Sequence, residues 1–322
     1  MPSTYTLAAA ALSRLKSGFR PATLAAYTRM LRDFLAFLQV AKISLHQVNT
    51  VLFLAYMEFL VRNGLSPTNV ANNVAGIRAL LIMYGSDTSY LKDERVALFL
   101  KSLRINQPFN PTLATIITVP MLEQILLISD HMKHPLIYKA LYLFMFFSFL
   151  RLSNVLPHSA KSFDITRHLT RGDLIFSDSA CTVLIKWSKT LQNRKEIKTI
   201  AIPSLENSIL CPVAALKNMF LAFPAARNDP LFVVPAAKSD VPLADSAARK
   251  HLKAVSVTLN VIPHLTFHDF RKSGTTFAFQ AGVPLQDIMD HGTWSSDTVW
   301  RYIKAVPATN SAVSRAFQAS LS

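Results

Sequence analysis

With 51% of its 322 residues apolar or aromatic, the chain has material for one large core or two ordinary ones, which excludes disorder as the default. Only 8 glycines argue against repeated Gly-rich turns and favour a helical protein. A formal net charge of +15 points to a polyanionic partner, nucleic acid first, although a basic protein of a ribosome or membrane surface has the same composition. The two cysteines, Cys181 and Cys211, have neither metal-type nor redox-type spacing and fit small buried positions in a reducing compartment. No basic region precedes the apolar patch Leu7 to Leu12, so no signal peptide is read there. The strongest apolar run, Ala140 to Leu150, is too short to span a bilayer and reads as a buried helix.

Residues 1 to about 105 read as four or five helices. Pro21 opens the first long one as an N1 proline, and Tyr27, Leu31, Phe34 and Leu38 recur at helical spacing. Val51 to Val61 forms another helix, stopped by Gly64. Ser66-Pro67 starts a third, which runs to Gly85. This part holds 12 Lys and Arg against 5 Asp and Glu, and the remainder 22 against 14, so both parts are basic. Residues 106–119, rich in proline, read as a linker. Helices are expected at about 120–132 and 134–150, then three short strands at Leu174 to Phe176, Thr182 to Trp187 and Lys198 to Ile202. Further helices follow Pro212, span Ala244 to Asn260 and His268 to Ala281, and cover Pro284 to Asp290. Ser295-Ser296-Asp297 offers caps for a last helix carrying Trp300 and Tyr302. The fold class is therefore mainly α with a small antiparallel β-sheet.

Four segments of the second half carry chemistry together. Arg151, directly after the apolar helix, can present a rigid guanidinium fork to a phosphate, although such an arginine alone is usually a dipole partner or surface charge. Lys189 follows the second strand; alone it is a solvated hairpin lysine, with Lys186, Arg194, Lys195 and Lys198 as competitors. His268-Asp269-Phe270-Arg271 opens a helix, and its i, i+3 spacing puts His268 and Arg271 on one face at an anion-favouring terminus. A capping histidine beside a surface arginine is the bland alternative. Last come Gly292-Thr293-Trp294 and Arg301-Tyr302-Ile303. A lone tyrosine on a C-terminal helix is normally packing; a phenol near pKa 10 needs cationic neighbours or a base to attack phosphorus.

In that order and spacing, the segments resemble the tyrosine recombinase (phage integrase) family, and the likeness covers nearly the whole chain. It implies a helical, SAM-like core-binding domain over 1–105, a linker over 106–119 and a catalytic domain over 120–322. By the same resemblance Arg151 and Arg271 clamp the scissile phosphate, Lys189 protonates the leaving 5′ oxygen, and His268 moves a proton or holds the phosphate. Tyr302 becomes the nucleophile that forms a 3′-phosphotyrosyl link, with no metal or other cofactor. Two departures stand out. The family's His or Trp nine residues before the tyrosine falls on Thr293, so Trp294 is expected to stand in, with His291 also nearby. Asn154 replaces a glutamate of many bacterial members. The run Leu150 to Asn154, with Leu169 to Asp173, is closer to recombinases of eukaryotic mobile elements such as the DIRS-like and Crypton groups, which implies a nuclear location. The resemblance also implies double-stranded DNA as partner, a homo-tetramer on two DNA sites and no membrane. Type IB-like topoisomerase activity, and a catalytically inactive DNA-binding protein derived from a mobile element, are the alternatives.

Overall fold

A computed structural model describes residues 4–106, 115–187, 197–237, 239–294 and 296–303. The chain divides into two compact units, Met1–Pro111 and Thr112–Ser322.

The first unit holds five helices: α1 (Thr4–Ser17), α2 (Pro21–Val40), α3 (Thr50–Arg62), α4 (Pro67–Met83) and α5 (Glu94–Ile105). Proline occupies the first turn of α2 and α4, where its missing N–H has no helical partner. Asn49, Ser66 and Asp93 cap α3, α4 and α5 by accepting from backbone N–H groups. Gly64 and Gly85 follow the ends of α3 and α4 in the left-handed region, which stops both helices. The helical spacing of Phe34 and Leu38 delivers both to a core completed by Phe53, Tyr56, Met57, Val70 and Ile77. Phe34 meets the Phe53 ring edge-on at 5.4 Å.

The second unit is built around α7 (Pro135–Ser148), which follows α6 (Val119–Asp130). Every residue from Ala140 to Phe146 is buried, because a helix apolar on all sides must be covered on all sides. Then come the single turn α8 (Leu152–Val155) and an antiparallel sheet of β1 (Leu174–Phe176), β2 (Ala180–Ile185) and β3 (Lys198–Pro203), with β2 central. The register pairs Cys181 with Ile202 and Val183 with Ile200, so the alternate residues of β2 face the core. After α9 (Pro212–Ala222) a short ribbon joins β4 (Val233–Val234) to β5 (Val241–Pro242). The unit ends with α10 (Asp245–Thr258), α11 (Phe267–Gln280), α12 (Leu285–His291) and a 3₁₀ turn, Asp297–Arg301. No described helix is long and apolar enough to cross a membrane.

Sequence and structure part in four places. Ile117, inside the stretch read as linker, is buried in the core of the second unit and its N–H donates to Ser273 Oγ at 2.7 Å, so that unit starts before residue 120. The second strand ends at Ile185 and not Trp187. The expected last helix is a five-residue 3₁₀ turn with Tyr302 at its C-cap, and Ser296 makes no side-chain cap there. The two-residue strands β4 and β5 are too short to leave an alternation in the sequence.

Candidate active site

Arg151 is the N-cap of α8 and adopts an extended backbone right after Phe149, which ends α7 in the left-handed region. That turn redirects the chain at the end of a rigid buried helix. It also leaves the Phe149 carbonyl free to accept, and Arg271 Nη1 donates to it. Arg271 Nη2 donates to the Gly292 carbonyl at 2.9 Å. The Arg271 side chain is 1% exposed, and its guanidinium lies 3.9 Å from the Trp294 ring centre and 4.9 Å from that of Tyr302. Charge on the guanidinium is thus balanced by two carbonyl dipoles and two aromatic faces. Burial first, and then the Arg151 charge, push the Arg271 proton affinity below the ordinary arginine value, with Tyr302 opposing.

Helix α11 brings His268 and Arg271 to the site. Its start is fixed by Asp269, whose carboxylate accepts from the Thr266 N–H at 2.8 Å and hydroxyl at 2.7 Å. Asp269 also accepts from Lys272 Nζ at 3.1 Å. The capping task falls to Thr266 and Asp269, which leaves His268 out of the cap. His268 keeps an exposed edge, while its ring meets that of Tyr302 at 4.9 Å, edge to face. Partial burial first, then the charges of Lys272 and Arg271, hold its imidazole below the usual histidine value, so it is neutral at pH 7.

Trp294 and Tyr302 pack with Phe149, Ile288 and Val299 in a small separate cluster, their ring centres 5.0 Å apart. The end of α12 sets the Trp294 position. Thr293 N–H donates to the Asp290 carbonyl and Trp294 N–H to that of Met289, with Thr293 left-handed between them. This is the hydrogen-bond pattern of a Schellman stop, with threonine where glycine is usual. The turn aims Trp294 at Arg271 and Tyr302. Tyr302 is 8% exposed, and its carbonyl accepts from the Thr276 hydroxyl at 3.2 Å.

Three side-chain N–H groups here are buried without an acceptor among the described residues: Arg151 Nη1, Arg271 Nε and Trp294 Nε1. Each costs about 1–3 kcal/mol while unpaired. Five sequence candidates, Arg151, His268, Arg271, Trp294 and Tyr302, therefore converge, and Lys189 lies outside the described residues. His291 is committed elsewhere: its Nε2–H donates to the Phe147 carbonyl at 2.8 Å. Of the competing lysines, Lys186 pairs with Asp173 at 2.7 Å and Lys198 lies 3.9 Å from Asp290.

Sequence reasoning missed two contributors to this site. One is Phe149, whose carbonyl accepts from Arg271 and whose left-handed backbone leaves no composition signal. The other is Gly274, where a Cβ would overlap the Phe146 carbonyl and stand 2.7 Å from the Phe149 ring. A glycine in mid-helix was the signal available for it.

Residues 13–83 match the phage integrase N-terminal SAM-like domain. Comparison with curated proteins gives no match. Among solved structures, the Tn1549 transposon integrase in complex with a circular intermediate DNA superposes with a TM-score of 0.64 at 13% identity, over 96% of this chain and 98% of that one. The XerH site-specific recombinase bound to difH substrate gives 0.60 at 15% identity, over 91% and 78%. A lambda integrase dimer bound to a COC′ core site gives 0.57 at 13%, over 94% and 77%. The chain has the fold of the tyrosine recombinases. Its first unit carries, more narrowly, the SAM-like domain found at the N-terminus of phage integrases.

Proposed function

We propose that the protein cuts and rejoins double-stranded DNA, with Tyr302 as the nucleophile. The observation that carries this reading is the set of three buried, acceptor-less N–H groups on Arg151, Arg271 and Trp294 beside that tyrosine. A phosphodiester supplies the missing acceptors, and two guanidinium groups that repel each other in its absence gain a shared anion. As the phenol oxygen attacks phosphorus, negative charge grows on the non-bridging oxygens, where fixed donors act most strongly. His268, neutral and in ring contact with Tyr302, takes the phenol proton or holds the phosphate. The P–O5′ bond breaks, its electron pair stays on O5′, and Lys189 protonates that oxygen. The link left behind is a 3′-phosphotyrosine, and attack by a 5′-hydroxyl of a partner duplex reverses the step. The reading includes a homo-tetramer on two DNA sites.

The test is covalent capture. Nicked duplexes are drawn from a randomised pool enriched on the protein, so that the cut strand loses its short 5′ product. Wild-type protein is expected to give a DNA-linked band that Tyr302→Phe abolishes. A band that survives Tyr302→Phe removes the nucleophile assignment. If the wild type forms none on any duplex of the pool, the protein binds DNA without cutting it. Relaxation of one supercoiled plasmid without exchange between two labelled duplexes would select the topoisomerase alternative.

A further inference from the structure

Tyr302 closes the 3₁₀ turn Asp297–Arg301 as its C-cap, and the two polar groups of its main chain go different ways. Its N–H stays within the turn and donates to the Val299 carbonyl at 2.8 Å. Carbonyls at the end of a turn fall outside its ladder and take partners from elsewhere. Thr276, on α11 and 1% exposed, supplies one for Tyr302: its Oγ1 donates to that carbonyl at 3.2 Å. Two neighbouring hydroxyls on α11 point home instead. Ser273 Oγ donates to the Asp269 carbonyl and Thr275 Oγ1 to that of Arg271, each 2.7 Å away on the same helix. The phenol itself is surrounded by ring contacts, with Trp294 at 5.0 Å, His268 at 4.9 Å and the Arg271 guanidinium at 4.9 Å. Such contacts confine a ring yet tolerate sliding, whereas a hydrogen bond weakens steeply off its axis.

We infer that Thr276 is a positioning residue for the nucleophile: by holding the Tyr302 carbonyl it mounts the phenol on the helix that carries Arg271 and His268, so that attacking group and phosphate clamp share one support. This rests on the function proposed above. The consequence is one-sided. Before cleavage the fold alone must keep the phenol in line with phosphorus, and a loosened Tyr302 spends less time there. After cleavage the new P–O bond to the Tyr302 Oη holds the phenol in place, with or without Thr276. Loss of the hydroxyl therefore slows adduct formation and spares resealing by the 5′-hydroxyl. The balance between intact and covalently linked DNA shifts toward intact DNA by the same factor.

The experiment compares the full chain with Thr276→Val, which keeps the shape and loses the hydroxyl, and Thr276→Ser, which keeps the hydroxyl. Two rates are read on a nicked duplex from the enriched pool. One is adduct formation at saturating protein. The other is resealing of the isolated adduct by an added strand with a 5′-hydroxyl. Thr276→Val is expected to form adduct more slowly by about 10- to 100-fold, the scale of a group displaced by an ångström. Its adduct should reseal at the wild-type rate, and Thr276→Ser should match wild type in both steps. Equal slowing of both steps overturns the inference, as does a Thr276→Val that forms adduct at the wild-type rate. So does a Thr276→Ser that loses as much as Thr276→Val. If Thr276→Val does not fold, Thr276→Ala takes its place: loss confined to adduct formation supports the inference, and equal loss or none overturns it. Wild-type protein that forms no adduct, or an adduct that survives Tyr302→Phe, defeats the underlying function, a result distinct from a failure of Thr276.

Discussion

Gly274→Ala is expected to destabilise the protein, against the usual sign of that change. In a helix interior alanine is favoured over glycine by about 1 kcal/mol. Here the new methyl would overlap the Phe146 carbonyl oxygen and lie 2.7 and 3.0 Å from two carbons of the Phe149 ring. A backbone oxygen in the buried C-terminal half of α7 has no rotamer to escape into, so α7 and α11 must separate. Overpacking of that kind costs about 1–3 kcal/mol, with rigid backbone at the upper end. The balance is a net loss of about 2 kcal/mol. For a unit of this size that lowers Tm by about 4–8 °C. Differential scanning calorimetry reads it directly. Covalent capture should fall as well, because Phe149 and Arg271 flank the contact. An unchanged or raised Tm for Gly274→Ala would refute the claim that α7 and α11 touch backbone to backbone at this glycine.

Gly292→Ala tests the Trp294 position. The added carbon would overlap the Trp294 ring, so the indole is expected to leave Arg271, with a change in tryptophan fluorescence and at least about a tenfold loss of covalent capture, the equivalent of about 1.4 kcal/mol. His251 tests the core. It is buried, stacked on Tyr138 with ring centres 3.6 Å apart and bonded to the Tyr142 hydroxyl at 2.7 Å, and burial lowers its pKa to about 4. Above pH 6.5 it is neutral in both states; between pH 6.5 and 4 the unfolded chain takes a proton that the folded one refuses. Stability should fall across that window by up to about 3 kcal/mol in urea titrations, and His251→Phe should flatten that part of the profile. If His268 takes the phenol proton as proposed, the acid limb of the cleavage rate should have its midpoint below the usual histidine value. A limb that His268→Asn leaves in place would remove it from proton transfer.

Much of the fold was legible because its signals are local. Pro21 and Pro67 start helices where expected, and Gly64, Gly85 and Gly282 follow the ends of others with positive φ. The sheet emerged from short β-branched runs with polar turns between them. The order of Arg151, His268, Arg271 and Tyr302 was enough to draw those side chains into one site. What stayed hidden depends on partners far away in sequence. Ile117 reads as linker because its hydrogen bond goes to Ser273. The last element is a 3₁₀ turn in which Tyr302 N–H bonds the Val299 carbonyl, while distant partners, the Thr276 hydroxyl and the Trp294 ring, hold the rest of the residue. Spacing puts the departure at Thr293; what it could not carry is the left-handed turn at that residue, which brings the Trp294 ring against Arg271 and Tyr302.

Arg271 joins carbonyls that lie 122 residues before it and 21 residues after it. Those two bonds tie three distant stretches of chain to one guanidinium, and the tyrosine that faces it comes ten residues after the second. During synthesis, then, a growing chain contains Arg151 and Arg271 before the second of these two bonds can form. A truncated or half-folded product, lacking the Gly292 carbonyl, holds Arg271 by one end only. Such a chain keeps its basic charge but lacks the second carbonyl that orients the guanidinium. Full orientation of Arg271 thus depends on a carbonyl close to the last described residues.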